Sequence, residues 1–181
     1  MSQTAKDQYI VGIAYLVGAG VEQDYTEAAM WFRRAAEQGF AQAQCQLGET
    51  YATGSGVTQD EVEAVKWYRK AADQGYANAQ FNLGVAYANG EGATQDDAAA
   101  VEWYRKAADQ GHAGGQFSLG VMCENGRGMT KDEVEAYMWF LLAGAQGDAD
   151  AKIQMNLTEK KLTPAARLDG QRRAREWKPK K

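Results

Sequence analysis

The chain repeats itself every 36 residues, and no other feature constrains its fold as strongly. Gly12, Gly48, Gly84 and Gly120 are evenly spaced, and Trp31, Trp67, Trp103 and Trp139 keep the same step. So do Gly18, Gly54, Gly90 and Gly126, and Asp24, Asp60, Asp96 and Asp132, while Gly39, Gly75, Gly111 and Gly147 close the units. A period in this range marks a solenoid, in which each unit buries its apolar face only against its neighbours.

Each unit reads as two helices with glycine punctuation. Ala43, Leu47 and Tyr51 share one helical face. Gly54-Ser55-Gly56 stops that helix, because glycine accepts the left-handed conformation at a helix end. Asp60 with Glu63 predicts a capping box at the start of the next helix, and Asp24 with Glu27 and Asp132 with Glu135 repeat it. The third unit breaks the pattern at Ala99. Ala64, Trp67, Ala71 and Ala72 line the second helix; the alanines let helices approach and the tryptophan fills the gap between them. Burying a tryptophan is worth about 3–5 kcal/mol against alanine, so all four are assigned to the core rather than to a ligand site.

The second unit spells out Leu47, Gly48, Tyr51, Gly54, Gly56, Val57, Asp60, Ala64, Trp67, Tyr68, Lys70, Ala71, Ala72 and Gly75. This resembles the Sel-one-like repeat, a relative of the tetratricopeptide repeat with a longer loop between its helices. The match runs through units at about 5–40, 41–76, 77–112 and 113–148, so residues 1–148 form the repeat region. Departures are few: Val11 for leucine, Ala93 and Met129 for valine, Cys123 for tyrosine, Leu142 for a basic residue. The resemblance implies an all-α, right-handed α/α solenoid of helix-turn-helix repeats.

Residues 149–181 read as a half repeat and a basic capping helix. Ala149 to Leu157 matches a first helix only, and Thr163-Pro164 is an N-cap followed by proline at the first helical position, opening a helix to about Trp177. The fourth unit carries Leu141-Leu142 where earlier units have Arg33-Arg34, Arg69-Lys70 and Arg105-Lys106, and Met138 where they have Lys66 and Glu102. These apolar replacements mark the seat of the closing helix. At the other end Ile10 replaces Gln46, Asn82 and Ser118, and Met30 replaces Lys66 and Glu102. Either a second copy, a partner or an upstream segment covers them, or they are isolated surface apolars of the ordinary kind.

Two prolines leave the helices unbroken, and no stretch approaches the apolar length that membrane insertion requires. Met1 to Lys6 is polar, so the expected location is cytoplasmic, or periplasmic or secreted if a signal peptide has been removed. Cys45 and Cys123 lie two repeats apart, too far to bridge, and read as reduced structural thiols. From Glu159 onward the net charge is +6 against −10 for the remainder. A basic tail can meet nucleic acid, but Arg172, Arg173 and Arg175 are expected to pair with the acidic repeats, so no nucleic-acid partner is expected.

The residues offer no chemistry. His112, the single histidine, stands where other units have Phe40 and Tyr76, and reads as a packed aromatic substitute. One histidine and two separated cysteines make no zinc set. No phosphate-binding loop is present. Relatives have been discussed as β-lactamase-like, yet the Ser-x-x-Lys motif such chemistry needs is absent. Asp96-Asp97 and Asp132-Glu133 begin helices, where acids cap free N–H groups. No catalytic residue, metal or cofactor is assigned.

By resemblance to tetratricopeptide geometry, function belongs on the concave face built by the first helices. One lane there reads Tyr9, Cys45, Phe81, Phe117 and Ile153; the next reads Ile13, Glu49, Val85 and Val121. Together they form an apolar stripe suited to an amphipathic helix or extended peptide, with Asn78, Asn82, Asn89 and Asn125 placed to hydrogen-bond a peptide backbone. The same residues can instead serve only to pack one first helix on the next. The resemblance implies a bacterial adaptor or regulator that binds a protein or peptide partner. The alternatives are a dedicated inhibitor or immunity protein occluding a toxic effector, and a scaffold that forms a homodimer through Ile10 and Met30.

Overall fold

The computed structural model describes residues 4–180. Among them are ten helices and no strand, each helix 13 residues long. They are α1 (Ala5–Val17), α2 (Tyr25–Glu37), α3 (Ala41–Thr53), α4 (Glu61–Asp73), α5 (Ala77–Asn89), α6 (Asp97–Asp109), α7 (Ala113–Asn125), α8 (Glu133–Ala145), α9 (Ala149–Lys161) and α10 (Pro164–Glu176). The chain is an all-α protein of helix-turn-helix repeats. One compact unit runs up to Gln95 and a second begins at Asp96.

The helix ends follow from the repeated glycines and aspartates. Gly18, Gly54, Gly90 and Gly126 take left-handed conformations at the C-caps of α1, α3, α5 and α7. Asp24, Asp60, Asp96 and Asp132 cap α2, α4, α6 and α8, each side chain accepting from one or two backbone N–H groups. The expected glutamate half of the box is not formed: Glu63 turns to Lys66, and Glu135 to Arg105 and Trp139. The one reciprocal capping box among the described residues is Thr4 with Asp7.

In the first unit, Phe32, Ala35, Ala36, Ala43, Leu47 and Trp67 form a continuous core, with Tyr9, Ile13 and Tyr51 packed at its edge. A methyl group on Gly12 or Gly48 would come within 2.6 Å of the Phe32 or Tyr68 ring, so glycine here lets an aromatic ring lie directly on the neighbouring helix. Gly120 receives Phe140 in the same way in the second unit. The tryptophans are not all equal. Trp67, Trp103 and Trp139 are buried, whereas Trp31 is half-buried, corresponding to its place in the first repeat. Cations lie over the first three: Arg34 on Trp31, Lys70 on Trp67 and Lys106 on Trp103. At Trp139 that place is taken by Trp177, ring centroids 6.3 Å apart.

A glutamine ladder joins repeats from within. Gln44 donates to the Ala36 carbonyl at 3.1 Å, Gln80 to Ala72 at 3.2 Å and Gln116 to Ala108 at 3.4 Å, all in buried surroundings. Each adds a side-chain donor to a carbonyl that already accepts the Gly39, Gly75 or Gly111 N–H, and so ties the next first helix to the end of a second helix.

The closing helix takes its expected seat. Thr163 caps α10 with proline in its first turn, and α10 packs on α8 with Gly170 against the Tyr137 ring. Leu141 and Leu142 face Gln171 and Ala174 across a shallow cleft, and Met138 is buried. Beyond α10, Lys180 pairs with Asp109 at 2.8 Å.

Candidate functional site

The first helices carry every residue assigned to the interaction lanes. In the first unit, Tyr9 and Ile13 stand on α1, Cys45 and Glu49 on α3, and Phe81, Asn82 and Val85 on α5. All but Cys45 are half-buried; Cys45 is buried. Tyr9 meets Phe32 and Phe40 at ring-centroid distances of 5.8 Å and 5.3 Å, so part of its surface belongs to the core. In the second unit, Phe117 and Val121 on α7 are half-buried beside Cys123, Ala136 and Phe140, and Phe117 lies 5.9 Å from the Phe140 ring. Ile153 on α9 ends the lane and is 58% exposed. These side chains therefore pack from one flank and present the other to solvent.

Glu49 is the polar centre of the first unit's lane. Asn82 Nδ2 donates to its Oε1 at 3.3 Å, Gln46 Nε2 donates to its Oε2 at 2.9 Å, and the Cys45 thiol approaches Oε1 at 3.8 Å. Burial holds the Glu49 carboxyl above the ordinary carboxylate range, opposed by these hydrogen bonds. Burial, and then the Glu49 charge, push the Cys45 thiol up. No basic side chain faces Glu49 in an ion pair among the described residues.

The asparagines divide. Asn82 is committed to Glu49 across the repeat boundary, which the sequence pattern does not reveal. Asn89 donates to Glu91 at 3.0 Å and Asn125 to the Val121 carbonyl at 2.9 Å, both at exposed positions. Asn78 is exposed. At the first repeat, Ile10 is 54% and Met30 41% exposed.

His112 does more than pack. It is the N-cap of α7, and its Nδ1 accepts from the Gly115 N–H at 3.0 Å; burial lowers its pKa. Both cysteines are free and buried, and burial pushes the Cys123 thiol up to about 12. Among the described residues no group of acids, histidines or cysteines is placed to hold a metal ion, and no helix is long and apolar enough to cross a membrane. Arg172 and Arg173 pair with Asp169 and Glu176 inside α10 rather than with the acidic repeats as expected. Lys161, with Glu124 at 2.9 Å, is the basic residue that reaches back from α9 to α7.

Paired helices at a fixed step, glycine-seated aromatics and a closing helix on α8 define a helical repeat protein. Residues 5–40, 41–76, 77–112 and 113–148 each match the Sel1 repeat, and the chain belongs to that family. It is similar to the solved structure of c5321, a protective antigen present in uropathogenic Escherichia coli strains that displays an SLR fold. The two are 36% identical with a TM-score of 0.90, over 96% of this chain and 37% of that one. A Sel1 repeat protein from Oxalobacter formigenes is 37% identical, TM-score 0.77, over 83% of this chain and 62% of that one. Helicobacter pylori cysteine rich protein B is 27% identical, TM-score 0.53, over 66% of this chain and 91% of its own. The chain thus spans under two thirds of the length of the first two. A search of curated protein sequences gives no match. Sel1 repeat proteins are generally protein-interaction modules, and the fold is a non-catalytic one.

Proposed function

We propose that the chain is an adaptor or regulator without catalytic activity, which holds an apolar peptide or helix of a partner protein on its first-helix faces. The observation that carries this is the recurrence of half-buried apolar side chains at the same two helix positions. These are Tyr9, Ile13, Phe81 and Val85 in the first unit, and Phe117 and Val121 in the second. A core position would be closed and a purely solvated one polar; side chains held rigid on one flank and open on the other suit an amphipathic partner. The free, buried thiols of Cys45 and Cys123 suit the cytoplasm, where cysteines stay reduced.

The test is capture of a partner from the source cell's lysate. Wild type is compared with the Phe81→Asp/Phe117→Asp double variant and with Ile153→Asp, whose side chain is open enough to change without cost to the fold. A partner held by wild type and lost by both variants supports the reading. Retention by both, with cooperative melting preserved, overturns it.

A second reading is self-association through the first repeat. Met138, the counterpart of Met30, is buried, while Met30 is 41% and Ile10 54% exposed, both in the first repeat. A dimer seen by sedimentation that dissociates in Ile10→Gln supports this reading, and a monomer at high concentration removes it.

A further inference from the structure

Tyr68 holds a hydroxyl that the fold does not use. The residue is 7% exposed, and its ring lies on Gly48 as Phe32 lies on Gly12 and Phe140 on Gly120. Of its three counterparts Tyr104 also carries a hydroxyl, whereas Phe32 and Phe140 do the same packing without one, so the helix contact itself does not require the oxygen. Its ring is buried, but its oxygen forms no hydrogen bond among the described residues and is not sealed from open space. It lines a pocket of about 120 Å³ between α3, α4 and α5, shared with Glu61, Val65, Asn82, Val85 and Glu91.

The lining combines hydrocarbon with oxygens that can accept, on Glu61, Glu91, Tyr68 and Asn82. Glu61 and Glu91 have no cation partner among the described residues. Asn82 spends its Nδ2 on Glu49, which leaves Oδ1 as an acceptor. Val65 and Val85, with three alanines, form apolar walls. Small-molecule sites begin at about 300 Å³, so this volume takes one side chain rather than a metabolite.

We infer that this pocket receives a lysine side chain of the bound partner, its methylenes between Val65 and Val85 and its ammonium donating to Tyr68 Oη, Asn82 Oδ1 and the two carboxylates. A compact ammonium with three rotatable donors suits a small pocket lined by several acceptors better than a planar guanidinium. The assignment rests on the partner-binding reading above and adds the chemistry of one contact. Val85 and Asn82 belong both to the lanes and to the pocket, so an apolar segment lying on α5 would pass its mouth.

The experiment titrates the ¹⁵N-labelled full chain with Nα-acetyl-lysine methylamide and, separately, with the norleucine derivative of the same length. Saturable amide shifts confined to the pocket residues, produced by the lysine probe alone, are expected. Tyr68→Phe, whose packing Phe32 and Phe140 already model, should keep the melting temperature and weaken the lysine probe about tenfold, the loss of one hydrogen bond to a charged group. Equal response to both probes, no response to either, or an unchanged affinity in Tyr68→Phe overturns the assignment. Loss of the lysine response alongside intact partner capture fails the pocket and leaves the interaction reading standing. A pocket response without any captured partner does the reverse.

Discussion

Arg105 donates to Glu135 Oε1 across 3.1 Å, whereas its counterparts Arg33 and Arg69 donate to Tyr51 and Tyr87. The difference follows from Cys123, which stands where the tyrosine would be and offers no hydroxyl. Glu135 then serves two donors, because Trp139 Nε1 reaches the same oxygen at 3.2 Å. The two partners should not be equally expensive to remove. Arg105 is 42% exposed, and such pairs are worth about 0–1 kcal/mol. Glu135→Ala leaves the Nε1 of a buried tryptophan unpaired, which costs about 1–3 kcal/mol. Urea unfolding of Arg105→Ala and Glu135→Ala should therefore show the glutamate variant the less stable. The reverse order would place the stabilisation in the ion pair.

The loop glycines make a second comparison possible. Gly20 and Gly56 share a φ of 76°, but a Cβ on Gly20 would meet nothing within 4 Å beyond its chain neighbours, while a Cβ on Gly56 would meet the Tyr25 carbonyl oxygen at 2.1 Å. Alanine at Gly20 pays only the left-handed penalty of about 1–2 kcal/mol. At Gly56 the loop must also move off the start of α2, adding about 1–3 kcal/mol of overpacking. Thermal melts of Gly20→Ala and Gly56→Ala should differ in that order, with Gly92→Ala and Gly128→Ala resembling Gly56→Ala because each meets a backbone oxygen of the preceding repeat. Equal melting of Gly20→Ala and Gly56→Ala would mean that the loop contact adds nothing.

His112 should make stability fall on acidification. Burial lowers its pKa from the ordinary 6.5. The unfolded chain therefore takes up the proton first, and stability present above about pH 6.5 is lost as pH falls toward the depressed value. Protonation also removes the Nδ1 acceptor that caps α7. Denaturant titrations between about pH 7.5 and about pH 5.5 should show this loss in wild type. It should be absent in His112→Tyr, which keeps the aromatic packing of the counterpart Tyr76. A parallel decline in both proteins would remove the histidine from the effect.

The repeat was legible because its signals are local and recur: a glycine that ends a helix or seats a ring does so wherever the step returns it. The closing helix was legible too, since Leu141, Leu142 and Met138 lose polarity where their counterparts keep it. What the sequence hid is direction. Glu63 and Glu135 occupy the capping position yet turn to Lys66 and to Trp139, and Asn82 reaches Glu49 in the preceding repeat. Such choices depend on which donor lies nearest after packing, and spacing alone carries no record of it. The glutamine ladder of Gln44, Gln80 and Gln116 did recur at the repeat step and could have been found by asking what a polar residue does on an alanine-rich face.

Glu49 supplies the opposite sign to His112. Burial raises its pKa above the ordinary 4.5, so the folded chain binds the proton more readily than the unfolded one. Stability is then lost as pH rises from about 4.5 through the raised folded value, and neutral pH carries the full cost of a desolvated carboxylate. Glu49→Gln keeps an oxygen for the Asn82 amide and gives up the charge, at the expense of the half-exposed Gln46 contact. The variant should be more stable than wild type at neutral pH, with the gap closing as pH falls below the carboxylate range. If the same variant also weakens capture of the partner found in lysate, the carboxylate is held at that cost for binding. If stability rises and capture is unchanged, Glu49 orders α3 against α5 and the partner is read by the apolar positions alone.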